Sequence, residues 1–212
     1  MKSYFLIGLL LTISSLAIGQ QTATTLDGKT VILNDDGTWK YQDKPLAAIE
    51  FNDSLLTKYR KPTTAKTLLK SERTNHAIWY NSLKWSTIDL KPTESTEYVL
   101  KLKDKDGYCI TVVEKIEMPL ENFREVMLKN LRMRGAEAIE IINEDYRIVN
   151  GNRVLHIQFN ASANGVKFSY LGYYYSNEKG TTQLLCYTSK NLFSEYKQEF
   201  ENMLNGFSVI PE

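Results

Sequence analysis

Two of the Asn-Gly pairs in the second half of the chain constrain its fold more than any other feature. Asn150-Gly151 and Asn164-Gly165 separate segments in which apolar and polar residues alternate. This pattern is typical of antiparallel strands joined by two-residue turns. The predicted strands are 139–149, 153–161, 167–175 and 182–188. Together they predict an antiparallel meander, in which each strand pairs with the next.

Shorter segments with strand character precede this meander. The predicted strands are 76–80, 97–103 and 108–115. Asp104-Lys105-Asp106-Gly107 joins the last two. It has the start of a calcium-loop pattern, but Lys115 stands where an EF-hand loop needs a glutamate. We therefore predict a hairpin turn at this position.

Apolar residues recur at three- and four-residue spacing in two further segments, which predicts two amphipathic helices. The first begins at Pro119 and ends at Gly135, and the second runs from Asn191 to Asn205 with Gly206 just beyond its end. The apolar stripe of the first helix is Leu120, Phe123, Val126, Met127 and Leu131. That of the second helix is Leu192, Tyr196, Phe200, Met203 and Leu204.

Residues 1–19 have the three-part pattern of a secretory signal peptide. Lys2 supplies the positive charge, apolar runs follow, and small residues at Ala17 and Gly19 precede a cleavage site before Gln20. The apolar stretch is short for a membrane span, which takes about 20 residues. The residue directly after the cleavage site is Gln20, not the cysteine of a lipoprotein. We expect an exported protein, periplasmic or secreted, without a lipid anchor and without a transmembrane segment in the mature chain.

The remaining chain divides into three predicted parts: an N-terminal β-hairpin over 20–42, a polar connector over 43–74, and a main domain over 75–212. The hairpin, with its DG…DGTW pattern, resembles one found near the N-termini of many small secreted bacterial proteins. An isolated hairpin is marginally stable in water, so we expect it to pack on the main domain. The alternative is that Trp39 and Tyr41 contact a partner.

The charge balance argues against nucleic-acid binding. Lys and Arg number 26 and Asp and Glu number 25, for a formal net charge of +1. Nucleic-acid-binding proteins usually carry a basic excess on one face. We predict no nucleic-acid partner.

The chain carries two histidines and none of the familiar motifs of hydrolases, metalloproteases or nucleotide-binding enzymes. A general base must reach the proton it removes and be oriented by another group. The first Asn-Gly turn places Asp145 opposite His156, which is the one local arrangement that favours catalysis. We predict no enzymatic activity, no cofactor and no metal site. The alternative is a hydrolase of unrecognised type, with Ser169 or Tyr170 beside His156.

Cys109 and Cys186 are the only cysteines, and each lies in an apolar segment with strand character. An oxidising compartment permits a disulfide between them. The alternative is two buried thiols that pack as small apolar side chains. A disulfide needs Cα atoms within about 7 Å of each other, which the sequence does not specify, so both interpretations stand.

The candidate binding residues lie on the meander. Tyr170 and Tyr174 share one face of their strand, and His156 and Gln158 share a polar face of the preceding one. Tyrosine combines an apolar ring with a polar hydroxyl and is favoured at interfaces. Such a surface would bind a protein or a glycan. The alternative is that these rings belong to the core beneath the helices.

Residues 76–210 resemble the Mog1/PsbP-like α/β sandwich family. The stretches that carry the resemblance are Ile78-Trp79-Tyr80-Asn81, Lys84-Trp85, Val149-Asn150-Gly151, Gly172-Tyr173-Tyr174-Tyr175, Tyr187-Thr188, Leu192-Phe193, Tyr196 and Phe200. The resemblance implies an α+β fold in which helices flank an antiparallel sheet. Most members of this fold are not regarded as enzymes, and none of their binding residues maps cleanly onto this sequence.

The sequence as a whole predicts an exported, non-catalytic protein. We expect an accessory or interaction module of the cell envelope, with an envelope protein as its partner. The alternatives are a binder of a small ligand or glycan that uses the aromatic sheet face, and the unrecognised hydrolase.

Overall fold

Two units of the chain are described separately, Met1–Ala47 and Ala48–Glu212. The computed structural model describes residues 21–24, 30–33, 39–41 and 53–211, with side chains for 53–211. The predicted signal peptide and its cleavage site lie outside the described residues, as does the part of the predicted connector before Asp53.

The first unit contains a small antiparallel sheet of β1 (Gln21–Thr24), β2 (Thr30–Leu33) and β3 (Trp39–Tyr41), in that spatial order. The strands of the predicted hairpin pair with each other, Val31 opposite Tyr41. β1 adds a third strand that the sequence pattern did not indicate, with Gln21 opposite Leu33. The packing of Trp39 and Tyr41 stays a prediction.

The second unit holds the predicted meander and both predicted helices. In chain order its elements are β4 (Thr57–Tyr59), β5 (Thr67–Lys70), β6 (His76–Tyr80), β7 (Trp85–Ile88), β8 (Thr96–Leu102), β9 (Tyr108–Glu114), α1 (Phe123–Met133), β10 (Ala138–Val149), β11 (Asn152–Ala163), β12 (Val166–Asn177), β13 (Gly180–Ser189), α2 (Phe193–Leu204) and β14 (Phe207–Val209). Short 3₁₀ turns cover Asp53–Leu55 and Leu120–Asn122.

An eight-stranded sheet has the order β4-β10-β11-β12-β13-β9-β8-β7, and β14-β6-β5 form a separate three-stranded sheet. The hairpins β10–β11 and β11–β12 turn at the predicted Asn-Gly pairs. All four turn residues have positive φ, for example 49° at Asn150 and 86° at Gly151. Positive φ at both central residues is the requirement of a type I′ turn, which explains why the two Asn-Gly pairs fix this topology.

The helices cover opposite faces of the large sheet, as the predicted α+β fold requires. α1 buries Phe123 and Met127 against Ile157, Phe159 and neighbouring side chains of β11 and β12. On the other face, α2 and the three-stranded sheet close a second core. Its largest members are Trp85, Tyr173, Phe200 and Phe207. The predicted stripe of the second helix therefore faces the core, and so does that of the first except for Val126, which belongs to neither core cluster.

The predicted connector over 43–74 needs correction, because it contains two strands of the folded unit. β4 pairs in parallel with the edge of β10, Lys58 opposite Ile148, and β5 pairs with β6, Leu69 opposite Ile78. The domain therefore begins before residue 75. Edge strands are short and rich in polar residues, which protects sheets from aggregation. The Lys- and Thr-rich sequence of this segment follows that rule and gave no strand signal.

Candidate functional site

Asp145 and His156 lie directly opposite each other on β10 and β11, as the hairpin register predicted. His156 Nδ1 is 2.6 Å from Asp145 Oδ1. Because a carboxylate only accepts hydrogen bonds, Nδ1 carries the proton and donates it. Arg147 binds the same carboxylate, with its Nε donating to Oδ2 at 2.7 Å. The residues that a catalytic Asp–His pair would need are thus in contact.

From Asp145 the chain of hydrogen bonds continues through Arg147, and among the described residues it does not extend past His156. Arg147 Nη1 donates to the hydroxyl of Tyr173 at 3.4 Å, and that hydroxyl donates to Asn205 Oδ1 at 2.8 Å. His156 Nε2 is buried and has no hydrogen-bond partner among the described residues. A general base would use this nitrogen to take a proton from a nucleophile. The tyrosine hydroxyl lies on the wrong side of the aspartate for that role.

The hydroxyls proposed for a hydrolase are also placed elsewhere. The Ser169 hydroxyl donates to Asn160 Oδ1 at 2.7 Å. Tyr170 lies opposite Phe159, on the sheet face that α1 packs against, whereas His156 lies opposite Tyr173 on the other face. His156 itself is 2% exposed. The arrangement does not form a hydrolytic triad.

The contacts of Arg147 indicate a structural role for the network. Its guanidinium lies 4.9 Å from the ring centroid of Tyr59 on the edge strand β4. Its link through Tyr173 reaches Asn205, which follows α2. One half-buried cation therefore connects the sheet edge, the sheet centre and the helix end.

Burial, followed by the nearby Arg147 charge, lowers the pKa of His156 to about 4. Burial alone would raise the pKa of Asp145, but hydrogen bonds from Arg147 and His156 lower it. At neutral pH the pair is therefore a neutral imidazole hydrogen-bonded to a carboxylate. The pair therefore carries one negative charge, beside the positive guanidinium of Arg147, whose side chain is 12% exposed.

These pKa values predict that the protein loses stability on acidification. Between pH 6.5 and about 4, the unfolded chain protonates His156 while the folded chain does not. The free energy of unfolding should therefore fall by up to about 1.4 kcal/mol per pH unit in this window. Denaturant titrations across the window measure the slope. His156→Gln should reduce the slope without removing it, because burial also lowers the pKa of His76. An unchanged slope in this variant would contradict the pKa assignment.

The predicted binding residue Tyr174 lies in the core, which corrects the sequence interpretation. Tyr174 is 0% exposed, and its hydroxyl contacts the sulfur of Met127 on α1. Gln158 is half-buried on the face opposite to Tyr174 and Tyr170. The four proposed binding residues are therefore divided between two faces and do not form one site.

Tyr170 instead belongs to a stacked row that crosses three strands. Its ring centroid is 5.6 Å from that of Tyr187, and Tyr187 is 5.4 Å from Tyr108, with nearly parallel rings in both pairs. The strand registers put each pair directly opposite, Tyr170 with Tyr187 and Tyr187 with Tyr108. We call this surface the tyrosine face; its members are Tyr108, Ile110, Val112, Tyr170, Leu185 and Tyr187.

The tyrosine face lies beside α1 and is half-buried. Each of its six members is only partly buried. Tyr170 and Leu185 border the core beneath α1, whereas Tyr108, Ile110, Val112 and Tyr187 belong to neither core cluster. Burial raises the pKa of Tyr187 to about 12, so this phenol stays neutral at physiological pH. The result is an apolar, uncharged strip with hydroxyl groups.

Polar groups lie at one end of this strip. The ammonium group of Lys101 lies 5.6 Å from the Tyr108 ring centroid, and the Tyr108 hydroxyl donates to Asp106 Oδ1 at 3.0 Å. The sequence pattern missed Tyr108 and Tyr187. The alternation of apolar and polar residues assigns each tyrosine to one face of its strand. Only the pairing of β9 with β13, which are far apart in the chain, brings the two tyrosines together.

Two cavities lie on the second unit, and the larger one borders the polar end of the tyrosine face, because Lys101 and Asp106 line it. One, of about 390 Å³, has His76, Arg73 and Lys179 in its lining, and another, of about 640 Å³, has Lys101, Asp104 and Tyr196. Neither contains Tyr108, Tyr170 or Tyr187. Within the described ranges, no group of three metal-binding side chains comes together. No described helix is both long enough and apolar enough to cross a membrane.

No protein-family profile matches the chain, and no curated protein sequence does. The structure is similar to the solution structure of cyanobacterial PsbP (CyanoP) from Synechocystis sp. PCC 6803, with a TM-score of 0.52 and 14% identity over 70% of this chain and 94% of that one. The Ran-binding protein Mog1p of Saccharomyces cerevisiae gives a TM-score of 0.48 and 9% identity over 68% and 95%. LpqN of Mycobacterium tuberculosis gives 0.36 and 8% over 72% and 82%. The likeness to CyanoP confirms the predicted Mog1/PsbP-like fold and extends no further than the fold.

Proposed function

We propose that this chain is an exported, non-catalytic protein that binds a partner protein of the cell envelope through the tyrosine face. The observation that carries the proposal is the stacked row of Tyr108, Tyr187 and Tyr170 on a half-buried sheet face. Tyrosine is enriched at protein interfaces because its ring buries apolar area while its hydroxyl still forms hydrogen bonds. The rings also support one another, so little side-chain freedom remains to be lost on binding.

The shape of the face favours a protein over a small ligand or glycan. Small-molecule sites are concave and bury most of the ligand. The tyrosine face is part of an extended sheet surface, and none of its six members lines the cavities of about 390 and 640 Å³. A broad partner surface therefore fits it better than a small molecule.

The size of the face indicates the centre of an interface, not the whole of it. Its members span five residues of β9, three of β13 and one of β12, which gives a footprint of roughly 150 Å² from the usual strand spacing and rise. A stable interface buries about 800 Å² on each partner. The partner must therefore also contact surrounding residues, including Lys101 and Phe168.

A comparison of variants tests this surface. The mature protein should capture a partner from envelope extract, and the double variant Tyr108→Ser, Tyr187→Ser should capture about 30-fold less, as expected when a central tyrosine anchor is lost. Leu83→Ser is the matched control, since Leu83 is 84% exposed away from the face. The melting temperature of each variant establishes that it is folded. Equal capture by the double variant and the control would contradict the proposal.

Export is proposed from the pattern of residues 1–19 and has its own test. The full-length gene is expressed with its N-terminus intact, and the intact mass of the protein is measured. We expect a chain that begins at Gln20, with or without cyclisation of that glutamine. A Gly19→Arg variant should retain the leader, because cleavage needs a small residue before the cut. A wild-type protein that retains Met1 to Gly19 would contradict export by this route.

A further inference from the structure

Cys109 and Cys186 lie directly opposite each other on the adjacent strands β9 and β13. Both are free thiols, both are 0% exposed, and both belong to the core beneath α2. The two side chains therefore point to the same face of the sheet at the same level.

The hydrogen-bond pattern of the neighbouring strand β8 orients the backbone of Cys109. In an antiparallel ladder, bonded and non-bonded residue pairs alternate. Leu102 N–H donates to Gly107 O at 2.8 Å, so Leu102 and Gly107 are a bonded pair. Two residues further along the ladder, Leu100 and Cys109 are again a bonded pair. The peptide groups of Cys109 thus point toward β8 and away from β13.

The strand on the other side, β12, orients Cys186 in the same way. Lys190 N–H donates to Lys167 O at 2.9 Å. Four residues back along the ladder, Cys186 and Leu171 occupy an equivalent bonded pair, so the peptide groups of Cys186 point toward β12. Cys109 and Cys186 are therefore a non-hydrogen-bonded pair. This is the ladder position at which side chains of opposite residues come closest.

The geometry of such a pair suits a disulfide. Its Cα atoms are usually about 4.5 Å apart, within the range of roughly 4.4 to 6.8 Å that disulfides span. Burial, followed by the neighbouring Cys109 thiol, raises the pKa of the Cys186 thiol. Once the core is closed, both thiols are shielded from oxidants. The bond must therefore form during folding, before the strands are buried.

We propose that Cys109 and Cys186 form a cross-strand disulfide when the chain folds in the presence of a disulfide oxidant. The thiolate of one cysteine attacks the oxidant and releases one thiol, which gives a mixed disulfide. The second cysteine then attacks that mixed disulfide and releases the second thiol. The two cysteines lose two electrons and two protons in total, and the oxidant is reduced to two thiols.

The bond would connect the two strands that carry the centre of the tyrosine face. Cys109 is flanked by Tyr108 and Ile110, and Cys186 by Leu185 and Tyr187, whose side chains lie on the opposite face of the same strands. The proposal does not depend on what the tyrosine face binds. It depends on the geometry of the pair alone.

Refolding with glutathione tests the proposal. The full chain is reduced, denatured, and refolded with a mixture of reduced and oxidised glutathione. We expect an intact mass lower by about 2 Da, from two lost hydrogens, and no thiol that reacts with an alkylating agent in denaturant. The melting temperature should rise by about 5–10 °C over the reduced protein, because the bond closes a long loop of the unfolded chain. The double variant Cys109→Ser, Cys186→Ser is the matched control, which should show no such rise.

Three results would each overturn the proposal. They are two thiols that remain free after refolding, glutathione adducts in place of the internal bond, or an oxidised protein that melts below the reduced one. Should the reduced chain fail to refold, native protein is isolated from the oxidising periplasm of an expression host, and its thiols are counted with an alkylating agent in denaturant. That sample should also contain no alkylated cysteine, and two alkylated cysteines would overturn the proposal there.

Discussion

Replacing Phe200 with alanine is expected to lower the free energy of unfolding by about 3–5 kcal/mol, the usual cost of removing a buried phenylalanine ring. Phe200 is 0% exposed on α2, and its ring lies 6.1 Å from both Trp85 and Phe193. It also contacts the turn at Gly107, where an added Cβ would lie 3.1 Å from the ring. The surrounding strand and turn backbone is poorly able to collapse into the cavity. Chemical denaturation followed by circular dichroism measures the loss.

Phe168→Ala is the matched control for this substitution. Phe168 is half-exposed and its ring is tilted against Tyr170 at 6.4 Å. The same atoms are removed, but little cavity is left, so the expected cost is about 1 kcal/mol. Similar costs for the two variants would show that α2 does not close the core as described.

Gly206→Ala is expected to destabilise the protein by about 3 kcal/mol or more, at or above the upper end of what overpacking usually costs. An added Cβ would lie only 1.8 Å from the carbonyl oxygen of Trp79 and 3.1 Å from that of Met203. Both atoms are backbone, so neither yields as a side-chain tip would. The Trp79 N–H also donates to Gly206 O at 2.8 Å, which fixes the close approach of β6. The melting temperature and the denaturant midpoint both measure the effect.

Gly135→Ala is the control that measures the cost of backbone strain without the steric clash expected in Gly206→Ala. Gly135 ends α1 with φ of 86°, and an added Cβ would meet no atom within 4 Å. Its substitution should cost about 1–2 kcal/mol, the price of left-handed backbone for a residue with a Cβ. A Gly206 variant no less stable than the Gly135 variant would contradict the packing of the helix end against β6.

Much of the fold was predictable because its strongest signals are local. The Asn-Gly turns need only their own backbone conformation, and they placed β10, β11 and β12 in order. Gly206 was predicted as the residue after a helix, and it does follow α2. The reason for a glycine at this position differs from the helix-end rule. The described backbone has no positive φ there, and the constraint is instead the contact with Trp79. That contact depends on tertiary packing, which a helix-end rule does not contain.

In the candidate site too, a contact within one hairpin was predictable from the sequence, whereas contacts between distant segments were not. The contact of Asp145 with His156 followed from counting residues across one two-residue turn. The separation of Tyr170 from Tyr174 did not follow, because both lie on one strand face and only the position of α1 determines that Tyr174 is covered. The neighbours of Tyr170 come from β13 and β9, whose pairing joins distant parts of the chain. Alternation within a strand contains no information about that pairing.

Site-specific photo-crosslinking shows whether the partner protein binds the tyrosine face. A benzophenone amino acid replaces Tyr187 at the centre of the tyrosine face, or Leu83, which is 84% exposed elsewhere. Each protein is irradiated in envelope extract with the captured partner present. We expect a covalent adduct with that partner from position 187 and none from position 83. Adducts from position 83 alone, or equal yields from both, would show that the partner does not bind the tyrosine face.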